Sequence, residues 1–403
     1  MDKYEKIQWK ILDALWVGLT VLLVISVPAF GASPGMTGEA ETVETVESAY
    51  TAVDGNRISK ERLEDGIVEY EELGSLIHYG NLSIQEMIDS TERTRQEYQE
   101  IRDYLRTERA SANAKKKEAK EDHDMESYGE YASLEAVYSS AAKSYNERIR
   151  KLDRYAANKN RLSLEKQLTN AAQNLMLSWQ SIKLQREYME KMAELYQAVY
   201  ENTKLGQSAG LATERDVTAA YQEWKDLEVS LSGIEDSEDA VCQNLYLLLG
   251  TDDGVSLANI PPVDTEQLSE INLEADIQKA IGNNGDLIAE RDTISAGTSS
   301  VNKKLRTLDE LEEKVRIKME QLYEEVNQKK QAYNAAKTGL DGADIQWKNT
   351  QSQYAMGMLS YVEYLQKQLQ YVQKKMAFAS ADLALLQALE NYHWAVKGIV
   401  TLD

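Results

Sequence analysis

The chain has 403 residues, a formal net charge of −22, one cysteine, two phenylalanines and four prolines. Negative charge of this size excludes a nucleic-acid backbone as partner, because phosphate binding requires clustered Lys and Arg. Cys242 cannot form an internal disulfide, and its place on an apolar helical face predicts a buried structural thiol. His78, His123 and His393 are far apart and show no ligand spacing, so no metal site and no cofactor are expected.

The N-terminus has the composition of an export signal. Three lysines precede the apolar run ALWVGLTVLLVISVPAF, which is followed by small residues. A basic region, an apolar core and a small-residue cleavage point are the parts of a signal peptide, which we assign to residues 1–31. The run is also nearly long enough to span a bilayer, so an uncleaved N-terminal membrane anchor is the alternative. In either case the rest of the chain is expected outside the cytoplasm, in the cell envelope.

Residues 32–57 are acidic and rich in Gly and Thr, which predicts a disordered spacer. From about Ile58 onward, apolar residues follow the alternating three- and four-residue spacing of coiled coils. We therefore predict an all-α protein of long antiparallel helical hairpins, which bury only a narrow stripe and need partners for a full core. The stripe includes Leu168, Ala172, Leu175, Trp179 and Ile182 in the first half, and Val362, Leu365, Leu369, Val372 and Met376 in the second.

The stretch LGQSAGLATERDV at 205–217 contains the pattern G-x-S-x-G, which is the nucleophile elbow of many serine hydrolases. In such an elbow Ser208 would follow a strand, but the residues before it have a helical pattern. We interpret the stretch as a turn between two antiparallel helices. No catalytic residue and no enzyme activity are therefore expected.

The same turn occurs twice in the chain. SAGLATERDV at 208–217 and AMGMLSYVE at 355–363 each place a Ser or Thr three residues after a glycine, and an acid three residues later. The glycine supplies the left-handed conformation that ends one helix, and the hydroxyl and acid form a capping box that begins the next. The predicted tip helix caps are Thr213 with Asp216 and Ser360 with Glu363.

Between the two turns, GTDDGVSLANIPPVDTEQLSE interrupts the helical pattern because of its glycines and prolines. We assign it to a linker at 251–272, which separates repeat 1 at 58–250 from repeat 2 at 273–403. Repeat 1 has more residues before its turn than repeat 2 has, which suggests an extra helical insertion.

At these residues the chain resembles the TolC-type outer-membrane efflux protein family, whose two repeats each carry a hairpin tip of the form Y-x-x-G-x-x-[ST]-x-x-D-V. YAMGMLSYVEYL at 354–365 is close to this pattern, and SAGLATERDVTAA at 208–220 follows it with Ser208 in place of the tyrosine. The hairpins end in NLYLLLG and NYHWAVKG, in the manner of the family. LEADIQKAIGNNGDL is similar to the first helix of the family's second repeat, with Gly285 where Pro is usual.

The resemblance implies a homotrimer in which two hairpins per subunit build a hollow α-helical tunnel. It also implies that the tips dock onto a membrane-fusion (periplasmic-type) adaptor protein, which is coupled to an ABC transporter or another pump. The docking residues that it implies are Ala209, Gly210 and Leu211 in repeat 1 and Met356, Gly357 and Met358 in repeat 2.

One departure from the family concerns the membrane strands that its members insert in each repeat. In this chain both corresponding segments are charged and have a helical pattern instead. The sequence therefore predicts an all-helical variant without the membrane β-barrel, and it argues against insertion into an outer membrane. We expect a cell envelope with no outer membrane, where the tube spans the wall zone above a pump.

Two functions are compatible with these patterns. One is a TolC-like efflux duct, and the other is a secreted structural coiled-coil scaffold of the cell envelope without transport activity. The duplicated tip favours the duct, because a spacer does not need two matched turns, whereas the missing strands favour the scaffold. The acidic composition suggests a lumen that prefers cations.

Overall fold

The computed structural model describes residues 65–251, 255–294 and 297–399. The predicted signal peptide or anchor at 1–31 and the spacer at 32–57 lie outside the described residues. Within the described part, no helix is both long and apolar enough to cross a bilayer. Almost all of the described residues are helical, which confirms the all-α fold class.

Two consecutive helices of repeat 1 begin where side chains cap them. Asn81 accepts hydrogen bonds from the amides of Ser83 and Ile84, and Asp124 caps the next helix in the same way. Between those two helices the chain turns at His123, whose φ of 59° lies in the left-handed region. The helices are α1 (Leu73–Gly80), α2 (Leu82–Glu121), α3 (Met125–Leu152), α4 (Tyr155–Ser208) and α5 (Glu214–Leu249).

Repeat 2 has two short helices followed by one long hairpin. The helices are α6 (Leu273–Asn283), α7 (Gly285–Asp292), α8 (Thr298–Ala355) and α9 (Tyr361–Val396). The second arm of each hairpin, α5 in repeat 1 and α9 in repeat 2, has 36 residues. The two hairpins therefore reach equally far from base to tip, and the predicted long antiparallel hairpins are confirmed.

The segment between the repeats runs back to the start of repeat 1. Its residues Ser256–Leu257 form β2, which pairs in parallel with β1 at Ile67–Val68. The Ser256 amide donates to the Gly66 carbonyl over 3.0 Å. After this pair the chain makes a single 3-10 turn at Gln267–Ser269 before α6 begins.

The four helices that flank the two predicted tips form one layer in the order α5, α4, α9 and α8. Helix α4 packs along α5 of its own repeat and along α9 of the other repeat, and α9 packs along α8. Among the described helices, only the short α1, α6 and α7 make further extensive contacts with α5 or α8. The layer therefore has two open edges, and these edges are α5 and α8.

The apolar core is concentrated at the base of each hairpin, where the short helices cover the long ones. Ile84 in repeat 1 and Leu287 in repeat 2 are both fully buried three residues after a capping asparagine. Other buried residues at the first base are Leu73, Ile77, Met176, Leu245 and Leu249. Those at the second base include Ile277, Val315, Met319, Leu385 and Tyr392.

Each hairpin ends at its base on a left-handed glycine that lies against the end of a short helix, α1 in repeat 1 and α6 in repeat 2. A Cβ added to Gly250 would stand 2.0 Å from the Gly80 carbonyl oxygen, and one added to Gly398 would stand 2.1 Å from that of Asn283. An asparagine amide fixes each contact, because Asn81 donates to the Leu248 carbonyl over 2.8 Å and Asn283 donates to Val396 over 2.9 Å. The base junction is thus duplicated, as the tip is. This explains why both hairpins end in glycine.

Helices α2 and α3 form a third hairpin, which occupies the extra length of repeat 1. They pack extensively on each other and make only a few contacts with α4. Alanines such as Ala112 and Ala142 are buried between them, which lets the two backbones approach closely. Arg95 closes the base of this hairpin through a 2.5 Å ion pair with Asp153, and Lys116 pairs with Glu135 farther out.

Cys242 is half-buried, whereas its apolar surroundings in the sequence predicted a buried thiol. The reason is that α5 is an edge helix and one of its sides has no long helix against it. Partial burial and the nearby carboxylates of Glu238 and Asp239 raise the pKa of the thiol. Both effects keep it in the unreactive protonated form at neutral pH.

Candidate functional site

The first tip lies between α4 and α5 and ends α4 with a Schellman motif. The Gly210 amide donates to the Gln207 carbonyl over 3.0 Å, and the Leu211 amide donates to Gly206 over 2.8 Å. Gly210 has a φ of 73°, which a residue with a side chain rarely adopts. These bonds reverse the chain in few residues and leave Leu211 at the outermost point.

The second tip, between α8 and α9, has the same hydrogen bonds. The Gly357 amide donates to the Tyr354 carbonyl over 2.9 Å, and the Met358 amide donates to Gln353 over 2.9 Å. The φ of Gly357 is 72°. The two tips therefore share one backbone conformation, although their side chains differ.

A complete capping box follows each glycine. In the first tip, the Thr213 amide donates to Asp216 Oδ2 over 2.8 Å, and the Asp216 amide returns a bond of 3.2 Å to Thr213 Oγ1. In the second tip, the Ser360 amide donates to Glu363 Oε2 over 2.8 Å, and the Glu363 amide donates to Ser360 Oγ over 3.3 Å. Each box fixes the first turn of the outgoing helix directly behind the exposed turn.

The capping carboxylates are held in their charged form. Hydrogen bonds from Thr213, first from its amide and then from its hydroxyl, lower the pKa of Asp216. Ser360 lowers the pKa of Glu363 in the same way. Both side chains therefore stay ionised at neutral pH, where each also lies favourably at a helix N-terminus.

The turn residues present apolar side chains to solvent. Leu211 is 86% exposed in the first tip, and Met356 and Met358 are 66% and 69% exposed in the second. Ala209, Gly210 and Gly357 are exposed as well. Each tip thus exposes an uncharged, apolar turn, and the capping acid follows it in the first turn of the next helix.

Two further exposed apolar residues extend the tips, and the sequence reading did not include them. Leu205 is 70% exposed directly before the Schellman motif, and Tyr361 is half-exposed directly after the Ser360 cap. In the sequence, both could have been recognised as apolar residues that lie next to a turn and outside the buried stripe. Without the structure, such a residue cannot be told from one that packs beneath the turn.

The tips are staggered along α4. Tyr361, at the second tip, lies within hydrogen-bonding reach of Glu194 of α4. Partial desolvation and the Glu194 carboxylate therefore raise the pKa of its hydroxyl. Helix α4 continues beyond Glu194 to Ser208, which at 1.5 Å per residue is about 20 Å. The first tip therefore projects farther along this axis than the second.

Ser208 has the surroundings of a helical serine. It is the last residue of α4, and its hydroxyl donates to the Lys204 carbonyl one turn earlier over 3.2 Å. The residues before it are helical, so the strand that a nucleophile elbow requires is not in that place. In the described residues, no group of three or more His, Cys, Asp or Glu side chains could hold a metal ion.

The sequence matches no family model and no curated protein. Several solved structures are similar to this chain in their backbone. A membrane protein from Pseudomonas aeruginosa has 12% identity and a TM-score of 0.45, with 92% of this chain and 99% of that one covered. The outer membrane protein VceC from Vibrio cholerae has 15% identity and a TM-score of 0.42, with 65% and 76% covered. The CmeC outer membrane channel from Campylobacter jejuni has 9% identity and a TM-score of 0.40, with 92% and 94% covered.

Proposed function

We propose that this protein is an efflux duct component of the TolC type, which forms a trimeric helical conduit and docks through its hairpin tips onto a membrane-fusion adaptor. The observation that carries the proposal is the duplicated tip, with its Schellman motif, its capping box and its exposed apolar turn. Two turns with one backbone conformation are expected where two equivalent sites on a partner must be contacted. The adaptor would in turn be coupled to an ABC transporter or another pump of the cell envelope.

The open helical layer supports an oligomer. A layer with two different free edges can close on itself when α5 of one copy packs against α8 of the next, which is a head-to-tail contact that generates a ring. Both edge helices expose apolar side chains that such a contact would cover. These are Val229 and Leu247 on α5, and Ile317 and Ile345 on α8.

The docking half of the proposal is tested by charge substitution at the outermost residues. Leu211→Glu and Met358→Glu replace exposed side chains, so we expect them to leave folding intact and to abolish recovery of an adaptor-type protein cross-linked to the duct in native membranes. Val137→Glu is the matched control, because Val137 is an exposed apolar residue of α3, in the separate α2–α3 hairpin and in neither tip. Retention of the cross-linked adaptor by the double tip variant would contradict tip docking.

The oligomeric half is tested by the mass of the purified full-length protein in solution. A trimer is the expected result, whereas a monomer or dimer would contradict the conduit. A trimer whose wild-type tips cross-link to no adaptor would instead favour the structural scaffold.

A further inference from the structure

An aromatic stack stands behind each tip at matching positions. In repeat 1, Tyr200 of α4 stacks on Trp224 of α5, with ring centroids 5.8 Å apart and planes inclined by 22°. In repeat 2, Trp347 of α8 stacks on Tyr371 of α9, at 5.4 Å and 8°. Tyr200 and Trp347 each precede their tip glycine by ten residues, and Trp224 and Tyr371 each follow it by fourteen. The repeats thus place the same pair of rings in the same places with tyrosine and tryptophan exchanged.

Each stack joins the two arms of one hairpin. Stacked rings of this geometry add about 0.5–1.5 kcal/mol beyond the area that they bury. A third ring from the outgoing helix enlarges each cluster, Tyr221 at 5.5 Å from Tyr200 and Tyr364 at 5.2 Å from Trp347. Contact between large flat rings holds one register of the two helices, because a slip along the axis would separate them.

Little else holds the arms together between the stack and the first tip. From Tyr200 to Trp224, Ala220 is the one buried residue, and it contributes a single methyl group. The second tip has an additional support, because Tyr354 stacks on Tyr364 with centroids 4.2 Å apart. The first tip therefore depends more on its stack than the second.

We propose that Tyr200 with Trp224 and Trp347 with Tyr371 are equivalent clasps, whose rings are positioning residues for the two tips. Each clasp fixes the register of its hairpin about 15 Å behind the turn, and so sets where the exposed turn is presented. This proposal rests on the proposed function only in one respect, which is that the tips contact an adaptor. The clasp itself is a property of the single chain.

Hydrogen exchange of the full-length protein, followed by mass spectrometry, tests the clasp. Trp224→Ala is expected to raise exchange in peptides covering 201–217 about tenfold and to leave 348–364 unchanged. Trp347→Ala is expected to affect 348–364 and to do so less strongly. Tyr188→Ala, which truncates a half-buried ring of α4 farther from the tip, serves as the control and should leave 201–217 as in the wild type.

A rescue variant follows from the fact that tyrosine and tryptophan have swapped places between the two repeats. Tyr200→Trp with Trp224→Tyr recreates in repeat 1 the order that repeat 2 already has, so its tip should exchange at the wild-type rate. Three results would each overturn the clasp. The first is an unchanged exchange rate at 201–217 in Trp224→Ala, and the second is a rise in that variant that is equal at 201–217 and 348–364. The third is a swap variant whose exchange at 201–217 is as fast as that of Trp224→Ala. If the wild type bound no adaptor, the docking function would be refuted. The exchange results would still test the clasp, because they do not depend on an adaptor.

Discussion

Four glycines in left-handed conformations mark the ends of the two hairpins, and they are constrained for different reasons. At Gly210 and Gly357 a Cβ would meet no atom within 4 Å, so only the backbone conformation disfavours a side chain. At Gly250 and Gly398 a Cβ would collide with a carbonyl oxygen at the end of a short helix, that of Gly80 or of Asn283. The tip glycines are therefore needed for the turn, and the base glycines are needed for close approach as well.

This difference predicts two sizes of effect for one substitution. Gly210→Ala should lower the free energy of unfolding by about 1 kcal/mol, the usual cost of a left-handed non-glycine residue. Gly250→Ala should cost more than about 3 kcal/mol, because the neighbouring backbone must move. Denaturant unfolding of the two variants measures both values, and equal losses would contradict the base junction.

The capping boxes predict a pH response at the tips. Asp216 and Glu363 have pKa values lowered by hydrogen bonds from Thr213 and Ser360, so they stabilise the tip above their unfolded-state pKa values of about 4. That contribution is lost as the pH falls through the lower folded-state values. We expect amide exchange at 211–217 to lose protection on acidification relative to the intrinsic rate, while Asp216→Ala shows weakened protection already at neutral pH. Protection in the wild type that is equal at pH 7 and pH 3 would contradict the role of the carboxylates.

At the scale of elements, the α2–α3 hairpin is a separate arm on the four-helix layer. Beyond its base it packs almost entirely on itself, and the Tyr98 and Tyr145 rings meet at 5.7 Å partway along it. Only the first turns of α2 reach the first base core, where Ile84 is buried, and the rest of the layer and of the two base cores is formed by other helices. The arm is therefore an addition to repeat 1 and not a part of the core.

Shortening this arm is expected to leave the layer folded. Replacing residues 99–144 by a short Gly-Asn turn removes most of two helices that pack mainly on each other. The melting temperature of the remaining helices should therefore change by no more than a few degrees. Circular dichroism should show loss of helical signal in proportion to the deleted residues. Collapse of the cooperative transition would show that the arm supports the layer.

At the scale of the whole molecule, the proposed trimer depends on the two unlike edges of the layer, α5 and α8. An edge variant with Val229→Glu on α5 and Ile345→Glu on α8 places charge on exposed apolar positions of both edges. We expect the proposed trimer to dissociate while the helical content of the monomer is kept, as measured by native mass spectrometry and circular dichroism. Val137→Glu again serves as the control, and a trimer that survives the double edge variant would contradict contact through these edges.

The sequence predicted the features that depend on residues close together in the chain. Thr213 with Asp216 and Ser360 with Glu363 are three residues apart, so the capping pattern could be recognised without a structure, as could the long helices from their apolar spacing. The base junction could not, because Gly250 meets Gly80 across 170 residues of chain. Similarly, Tyr200 and Trp224 pair only once the hairpin register is known. The degree of exposure of Cys242 depends on which helices cover α5.

The base junctions also determine how motion would be transmitted. Each hairpin is fixed where its glycine meets the chain ahead of a capped helix, and its 36-residue second arm extends about 54 Å from there. An arm held at one end acts as a lever. A tilt of about 5° at the base would carry the tip sideways by about 5 Å, with no change inside the hairpin. The small contact of Gly398 with Asn283 is thus the pivot on which the position of the second tip depends.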